Sequence, residues 1–208
     1  MMLHSTRGVP VLDWGFAGAA LDGAPESGDL HVVIPLDHGA LLAVIDGLGH
    51  GPEAEQAARE AAAIVSEHRS LPIRELLERC HEGLRMTRGV VLTLAVLDAQ
   101  SSTLEWFAVG NVEGLLFHPE SQGPHRLDAV TARGGVLGCR LPLIKAATTP
   151  IRRGDVLVLA TDGVRCEFST EIPLEWEPQA IADWVLQRYG RGSDDALVLV
   201  ARYEGAPG

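Results

Sequence analysis

The sequence predicts an α+β fold, with antiparallel sheet packed against helices in one domain spanning residues 1–208. Three observations lead there. Apolar runs of strand length recur from Leu30 to Ala201. Apolar residues at helical spacing occur in stretches beginning near Pro52, Pro72 and Pro178. A series of strands follows a pair of helices without strict strand-helix alternation, which argues against a parallel βαβ sheet.

Taken in order, residues 1–9 read as a lead-in, and Val9 to Phe16 as a strand that Pro10 confines to a sheet edge. Gly18 to Gly28 is turn-like. Leu30–Ile34 and Leu41–Ile45 are short apolar strands joined through a hairpin turn at Pro35–Gly39, so Asp29 and Asp46 fall at the same end of the pair. The glycine-studded loop Asp46-Gly-Leu-Gly-His-Gly51 leads into a helix. Pro52 suits its first position, Glu53 and Glu55 its positive end, and Ala54, Ala57, Ala58, Ala61, Val65 and His68 one face. A second helix begins near Pro72, with Ile73, Leu76, Leu77, Cys80 and Leu84 inward. Strands follow at Val90–Leu97, Thr103–Val109 and Gly114–His118, with Asp98–Ser102 as a hairpin turn.

Between Pro119 and Pro150 the pattern places no strand, although Arg133–Gly138 reads as a close turn. Beyond it, Val156–Ala160 is a buried strand ending at Thr161-Asp162-Gly163. Pro178–Tyr189 is a helix with Ile181, Trp184 and Val185 inward, and Ser193-Asp194-Asp195 opens a last strand over Ala196–Ala201.

Composition removes several classes of function. Lys plus Arg number 17 against 28 Asp plus Glu, a net charge of −11, which lacks the basic footprint needed for nucleic acid or an acidic membrane surface. No apolar stretch approaches a membrane span, and the N-terminus has no secretory pattern, so a cytoplasmic location is expected. Cys80, Cys139 and Cys166 are widely spaced and read as reduced, buried small hydrophobes. No GxSxG, Walker A or GxGxxG motif is present.

The chemistry-bearing pattern is a recurrent carboxylate at the end of an apolar strand beside Gly or Ser: Asp29, Asp46, Asp162, and Asp194 or Asp195. A lone Asp in such a place is most simply a turn residue. A set of them, next to glycines that let backbone carbonyls approach, is hard-oxygen ligation suited to Mg²⁺ or Mn²⁺. Two such ions would activate a water for attack on a phosphate without a protein nucleophile. His50 is a candidate proton donor to a leaving alkoxide, with a polar turn residue as the alternative.

The order of these motifs resembles the metal-dependent serine/threonine protein phosphatases (PPM, or type 2C), and more closely their bacterial SpoIIE branch. The resemblance rests on Ser27-Gly-Asp29, Asp46-Gly-Leu-Gly-His-Gly51, Val109-Gly-Asn111, Gly134-Gly-Val-Leu-Gly138, Gly154-Asp through Thr161-Asp-Gly-Val164, and Ser193-Asp-Asp-Ala-Leu-Val-Leu-Val200. It implies an αββα sandwich of two antiparallel sheets flanked by helices, and a centre of two Mn²⁺ or Mg²⁺ ions. Catalytic Asp46 would bridge the ions, the Gly47 carbonyl would add a ligand, and catalytic Asp162 and Asp194 would hold one ion. Asp29 would contribute directly or from just behind the ligands. The family match favours Asp194 over Asp195, since successive strand residues face opposite ways.

The implied reaction is attack of a metal-bridging hydroxide on phosphoserine or phosphothreonine. A chain of this size looks like a stand-alone phosphatase of stressosome signalling, its partner a phosphorylated scaffold or anti-sigma-antagonist protein. The alternative is a catalytically silent phosphatase fold that binds a phosphorylated partner. Leu197 stands where a hydroxyl residue often follows Asp-Asp-x. Arg7, Arg133 and Arg165 are candidates by type for gripping the phosphate.

Overall fold

The computed structural model describes residues 10–24, 26–119 and 126–206. Its strands are β1 (Leu12–Ala19), β2 (Asp29–Leu36), β3 (Gly39–Gly47), β4 (Val90–Asp98), β5 (Thr103–Val109), β6 (Glu113–His118), β7 (Arg126–Ala129), β8 (Ala147–Pro150), β9 (Val156–Ala160) and β10 (Ala196–Tyr203). The helices are α1 (Pro52–Glu67), α2 (Ile73–Gly83) and α3 (Pro178–Tyr189). One sheet runs β1-β10-β9-β6-β7 and the other β2-β3-β4-β5-β8. Every strand pairing is antiparallel.

Strands that read as continuous apolar runs do so because both of their faces are buried. On β3, Leu42 and Val44 point between the sheets with Leu159, Leu199 and Trp106, while Leu41, Ala43 and Ile45 point to α1 and α2. On β9, Leu157 and Leu159 face the other sheet, while Val158 and Ala160 pack under Ile181, Ala182 and Val185 of α3. Three apolar layers thus alternate with two sheets, the αββα sandwich. The small residues of α1 let it lie close to its sheet: a Cβ on Gly47 would come within 2.1 Å of the Ala54 carbonyl oxygen. That approach sets the N-terminus of α1 at the end of β3.

The structure corrects several local expectations. Gly18 continues β1, because the ladder with β10 carries on through Gly18↔Leu197 and Ala19↔Ala196. Only Asp37 and His38 separate β2 from β3, and Pro35 is accommodated because β2 is an edge strand. The unplaced region supplies β7 and β8, both edge strands, and β8 is largely exposed and so lacks an apolar signature. Trp184 is only partly buried, its ring tilted at 58° against Tyr189 with 5.4 Å between ring centroids. Cys80 is buried, its thiol pushed up to about 12 by desolvation, but Cys139 and Cys166 are exposed. The lead-in at residues 1–9 lies outside the described residues. No described helix is long and apolar enough to cross a membrane.

Candidate metal centre

The antiparallel register sets Asp29 of β2 directly opposite Asp46 of β3. Asp29 is 5% exposed and Asp46 half-buried. Like charges in directly opposed positions destabilise a sheet unless something neutralises them. From the other sheet, Thr161 at the end of β9 donates its hydroxyl to Asp29 Oδ2 at 2.7 Å and accepts the Leu197 N–H at 2.9 Å. That one hydroxyl joins the two sheets beneath the carboxylates. Leu197 brings no hydroxyl of its own, and its N–H is met by the Thr161 hydroxyl from the end of the neighbouring strand.

Asp162 follows Thr161 and is exposed; Asn111 Nδ2 donates to its Oδ2 at 2.5 Å. Gly163 has no room for a side chain, because a Cβ there would meet the Asp195 carbonyl oxygen at 1.9 Å. This contact presses the Asp162 turn against the segment entering β10. There the paired aspartates divide. Asp195 is 4% exposed, and its two oxygens accept the backbone N–H groups of Leu21 and Gly28, each at 2.7 Å. Asp194 is exposed and accepts the Asp195 N–H at 2.9 Å. Both residues precede β10, which starts at Ala196, so strand alternation does not separate them as the sequence suggested. What separates them is that Asp195 is consumed by the loop from β1 to β2, whereas Asp194 is left at the surface.

Electrostatics tie the group together. Burial, with the charges of Asp46, Asp195 and Asp162 added, pushes the Asp29 carboxyl up to about 8, against a lowering hydrogen bond from Thr161. Burial, then the charges of Asp162, Asp194 and Asp195, pushes Asp46 up to about 7. Asp29 and Asp46 therefore feel the carboxylates around them, and without a counter-cation these two resist ionisation.

The loop after Asp46 turns through Gly49 (φ 89°) and Gly51 (φ 80°), conformations that favour glycine, and delivers the chain to α1. His50 lies in this loop and is exposed. Arg88, whose guanidinium lies against Gly49, pairs with Glu53 in the first turn of α1. Gly28 accepts the Gly47 N–H at 3.0 Å but gives its own N–H to Asp195, not to the Gly47 carbonyl.

The donor set fits divalent cations: hard carboxylate oxygens, a carbonyl whose facing N–H is diverted elsewhere, and two adjacent carboxyls whose ionisation a cation would favour. Among the described residues no three of these side chains close into a ligand cage on their own.

Of the residues singled out in the sequence, Asp29, Asp46, Gly47, Asp162 and Asp194 meet at one end of the sandwich, and His50 lies on the adjoining loop. Among the arginines, Arg165 is committed elsewhere, donating to the Arg188 carbonyl at 2.8 Å and lying over the Tyr189 ring at 5.6 Å. Arg133 is exposed near Val109, and Arg7 lies outside the described residues. Sequence reasoning missed Thr161 and the structural use of Asp195. It noted Asn111 only as part of a weak motif. It missed Arg191, which lines a groove with Asn111 and Asp162.

Comparison with known proteins agrees with this fold. The phosphoserine phosphatase RsbX of Bacillus subtilis (strain 168) is 24% identical over 143 residues, covering 69% of this chain and 70% of that protein. A crystal structure of RsbX in complex with magnesium superposes with a TM-score of 0.84 at 18% identity, over 95% of this chain and 98% of that one. A solved structure concerned with the bacterial stressosome as a modular system gives 0.83 at 28% identity, over 92% and 99%. The model of the stage II sporulation protein E family, SpoIIE, matches residues 37–204, and the chain belongs to that family.

Proposed function

We propose that this protein is a metal-dependent protein-serine/threonine phosphatase that acts on phosphoserine or phosphothreonine of a bacterial stress-signalling protein. The observation that carries this reading is the meeting of Asp29 and Asp46, opposed across β2 and β3, with Asp162 and Asp194 from the other sheet, within a SpoIIE-family fold. Similarity to the phosphoserine phosphatase RsbX supports the reaction class.

Two Mn²⁺ or Mg²⁺ ions are the proposed cofactors. Asp46, the Gly47 carbonyl, Asp162 and Asp194 would hold them, and Asp29 would support the pair from its buried position. Such ions supply an activated water at neutral pH and neutralise charge on the phosphoryl group. The chain's own residues do the rest. Asn111 fixes the orientation of Asp162 and Thr161 that of Asp29. Asp195 holds the β1–β2 loop against the entry to β10. His50, exposed on the loop, would give a proton to the leaving alkoxide.

The substrate is a folded, phosphorylated protein of the stressosome-scaffold or anti-sigma-antagonist kind, met in the cytoplasm. The net charge of −11 disfavours nucleic acid and acidic membranes, while a phosphate is still drawn to locally cationic metals. Hydrolysis of a phosphoserine protein and of p-nitrophenyl phosphate, with and without Mn²⁺, tests the reading. Mn²⁺-dependent turnover of the phosphoprotein is expected. Tight phosphoprotein binding with no turnover at saturating Mn²⁺ would favour a silent binding module instead.

A further inference from the structure

Beside Asp162 opens a groove of about 330 Å³, lined in part by Asn111, Glu113, Thr161, Asp162, Cys166 and Arg191. Arg191 is the only cationic side chain among its described lining residues. Its backbone is not free to wander. Val164 and Gly190 form an antiparallel bridge, the Arg165 N–H bonds the Tyr189 carbonyl at 2.9 Å, and the Arg191 N–H bonds the Gly163 carbonyl at 2.8 Å. Arg191 is thereby fixed beside Gly163, the neighbour of Asp162, and three residues ahead of Asp194.

Three other arginines have occupations. Arg88 pairs with Glu53, Arg165 lies over Tyr189, and Arg188 pairs with Glu171 at 3.2 Å. Among the described residues, Arg191 has no carboxylate within ion-pair distance. A guanidinium that lines a groove with Asp162 and Glu113, paired to neither, is available to an incoming anion. Its planar fork matches two phosphoryl oxygens at once, which a lysine cannot do.

We propose that Arg191 grips the substrate phosphate, donating to its non-bridging oxygens, while the groove takes up the residues flanking the phosphorylated side chain. This rests on the phosphatase reading above, and the test separates the two. Inorganic phosphate is titrated calorimetrically into Mn²⁺-saturated wild type, Arg191→Ala, Arg191→Lys and Arg133→Ala. KM and kcat are measured for p-nitrophenyl phosphate and for a phosphoserine protein, and Mn²⁺ affinity is measured for each variant.

Arg191→Ala is expected to weaken phosphate binding, and to raise KM for both substrates, by about 10- to 100-fold, with a smaller effect on kcat. Arg191→Lys should recover part of that loss, and Mn²⁺ affinity should stay within about twofold of wild type in all variants. Unchanged phosphate affinity in Arg191→Ala overturns the proposal, even if KM for the phosphoprotein rises, since the residue would then read peptide. So does a matching loss of Mn²⁺ affinity, or a larger loss of phosphate binding in Arg133→Ala. Phosphate titration needs no turnover, so a wild type without Mn²⁺-dependent hydrolysis would refute the phosphatase reading while the calorimetry still decides the role of Arg191.

Discussion

Replacing Asp195 with asparagine should weaken the fold, while the same change at Asp194 should weaken only cation binding. Asp195 is 4% exposed and accepts two backbone N–H groups at 2.7 Å, one from Leu21 and one from Gly28. Hydrogen bonds to a charged acceptor contribute about 1.5–3 kcal/mol each. Asparagine keeps one acceptor oxygen, uncharged, and turns its NH₂ toward the second donor. Removing a negative charge near Asp29 and Asp46 returns part of the loss, since Asp195 raises both of their pKa values. The net cost comes to about 2–4 kcal/mol, or roughly 5–15 °C in Tm for a domain of this size.

Asp194 is exposed, and its one intramolecular role, accepting the Asp195 N–H, is met equally well by an asparagine oxygen. Its substitution should move the Tm of chelator-treated protein by no more than about 0.5 kcal/mol equivalent. Thermal unfolding in EDTA, paired with Mn²⁺ titration of each variant, separates the two roles. Equal Tm losses, or a greater loss of Mn²⁺ affinity in the Asp195 variant than in the Asp194 variant, would refute the division.

Activity should vanish in EDTA and return with Mn²⁺ or Mg²⁺, and Asp46→Asn should lower kcat/KM by more than about 100-fold; near wild-type turnover in either case contradicts the site. Asp29 and Asp46 have folded pKa values of about 8 and about 7, above their unfolded value. Their contribution to the stability of the metal-free protein is thus full in acid and is lost as the pH rises through about 7 and then about 8. A cation favours the ionised forms, so Mn²⁺ should raise the Tm strongly at about pH 8.5 and hardly at about pH 5.5, and stabilisation of equal size at both would be the wrong result. Thr161→Val removes the hydroxyl shared by Asp29 and the Leu197 N–H. It should cost about 1–3 kcal/mol in thermal unfolding and about 10-fold in Mn²⁺ affinity, and a variant with both unchanged would mean that the link between the sheets is idle.

The long elements could be read from sequence because burial on one or two faces leaves a periodic trace. Leu41–Ile45 and Val156–Ala160 are apolar throughout because helices cover one face and the partner sheet the other. β8 left no such trace, being short and exposed at a sheet edge. At the candidate site, each carboxylate was visible as an Asp closing or opening an apolar strand, and the Asp29–Asp46 register followed from the short hairpin between them. Which of Asp194 and Asp195 faces outward was inferred for a reason the structure does not support. The deciding contacts come from Leu21 and Gly28, more than 160 positions away in the chain. Thr161 and Arg191 were invisible for a similar cause: one is read only across to Asp29 and Leu197, the other only through a short ladder with Gly163.

The ends of β3 and β9, together with the entry to β10, are proposed to form a binuclear metal centre. Anomalous scattering from a crystal soaked in Mn²⁺ tests it most directly. Two peaks about 3.5–4 Å apart are expected, both within ligand distance of Asp46 and one of them shared by Asp162 and Asp194. A single peak, or peaks lying away from these three carboxylates, would contradict it.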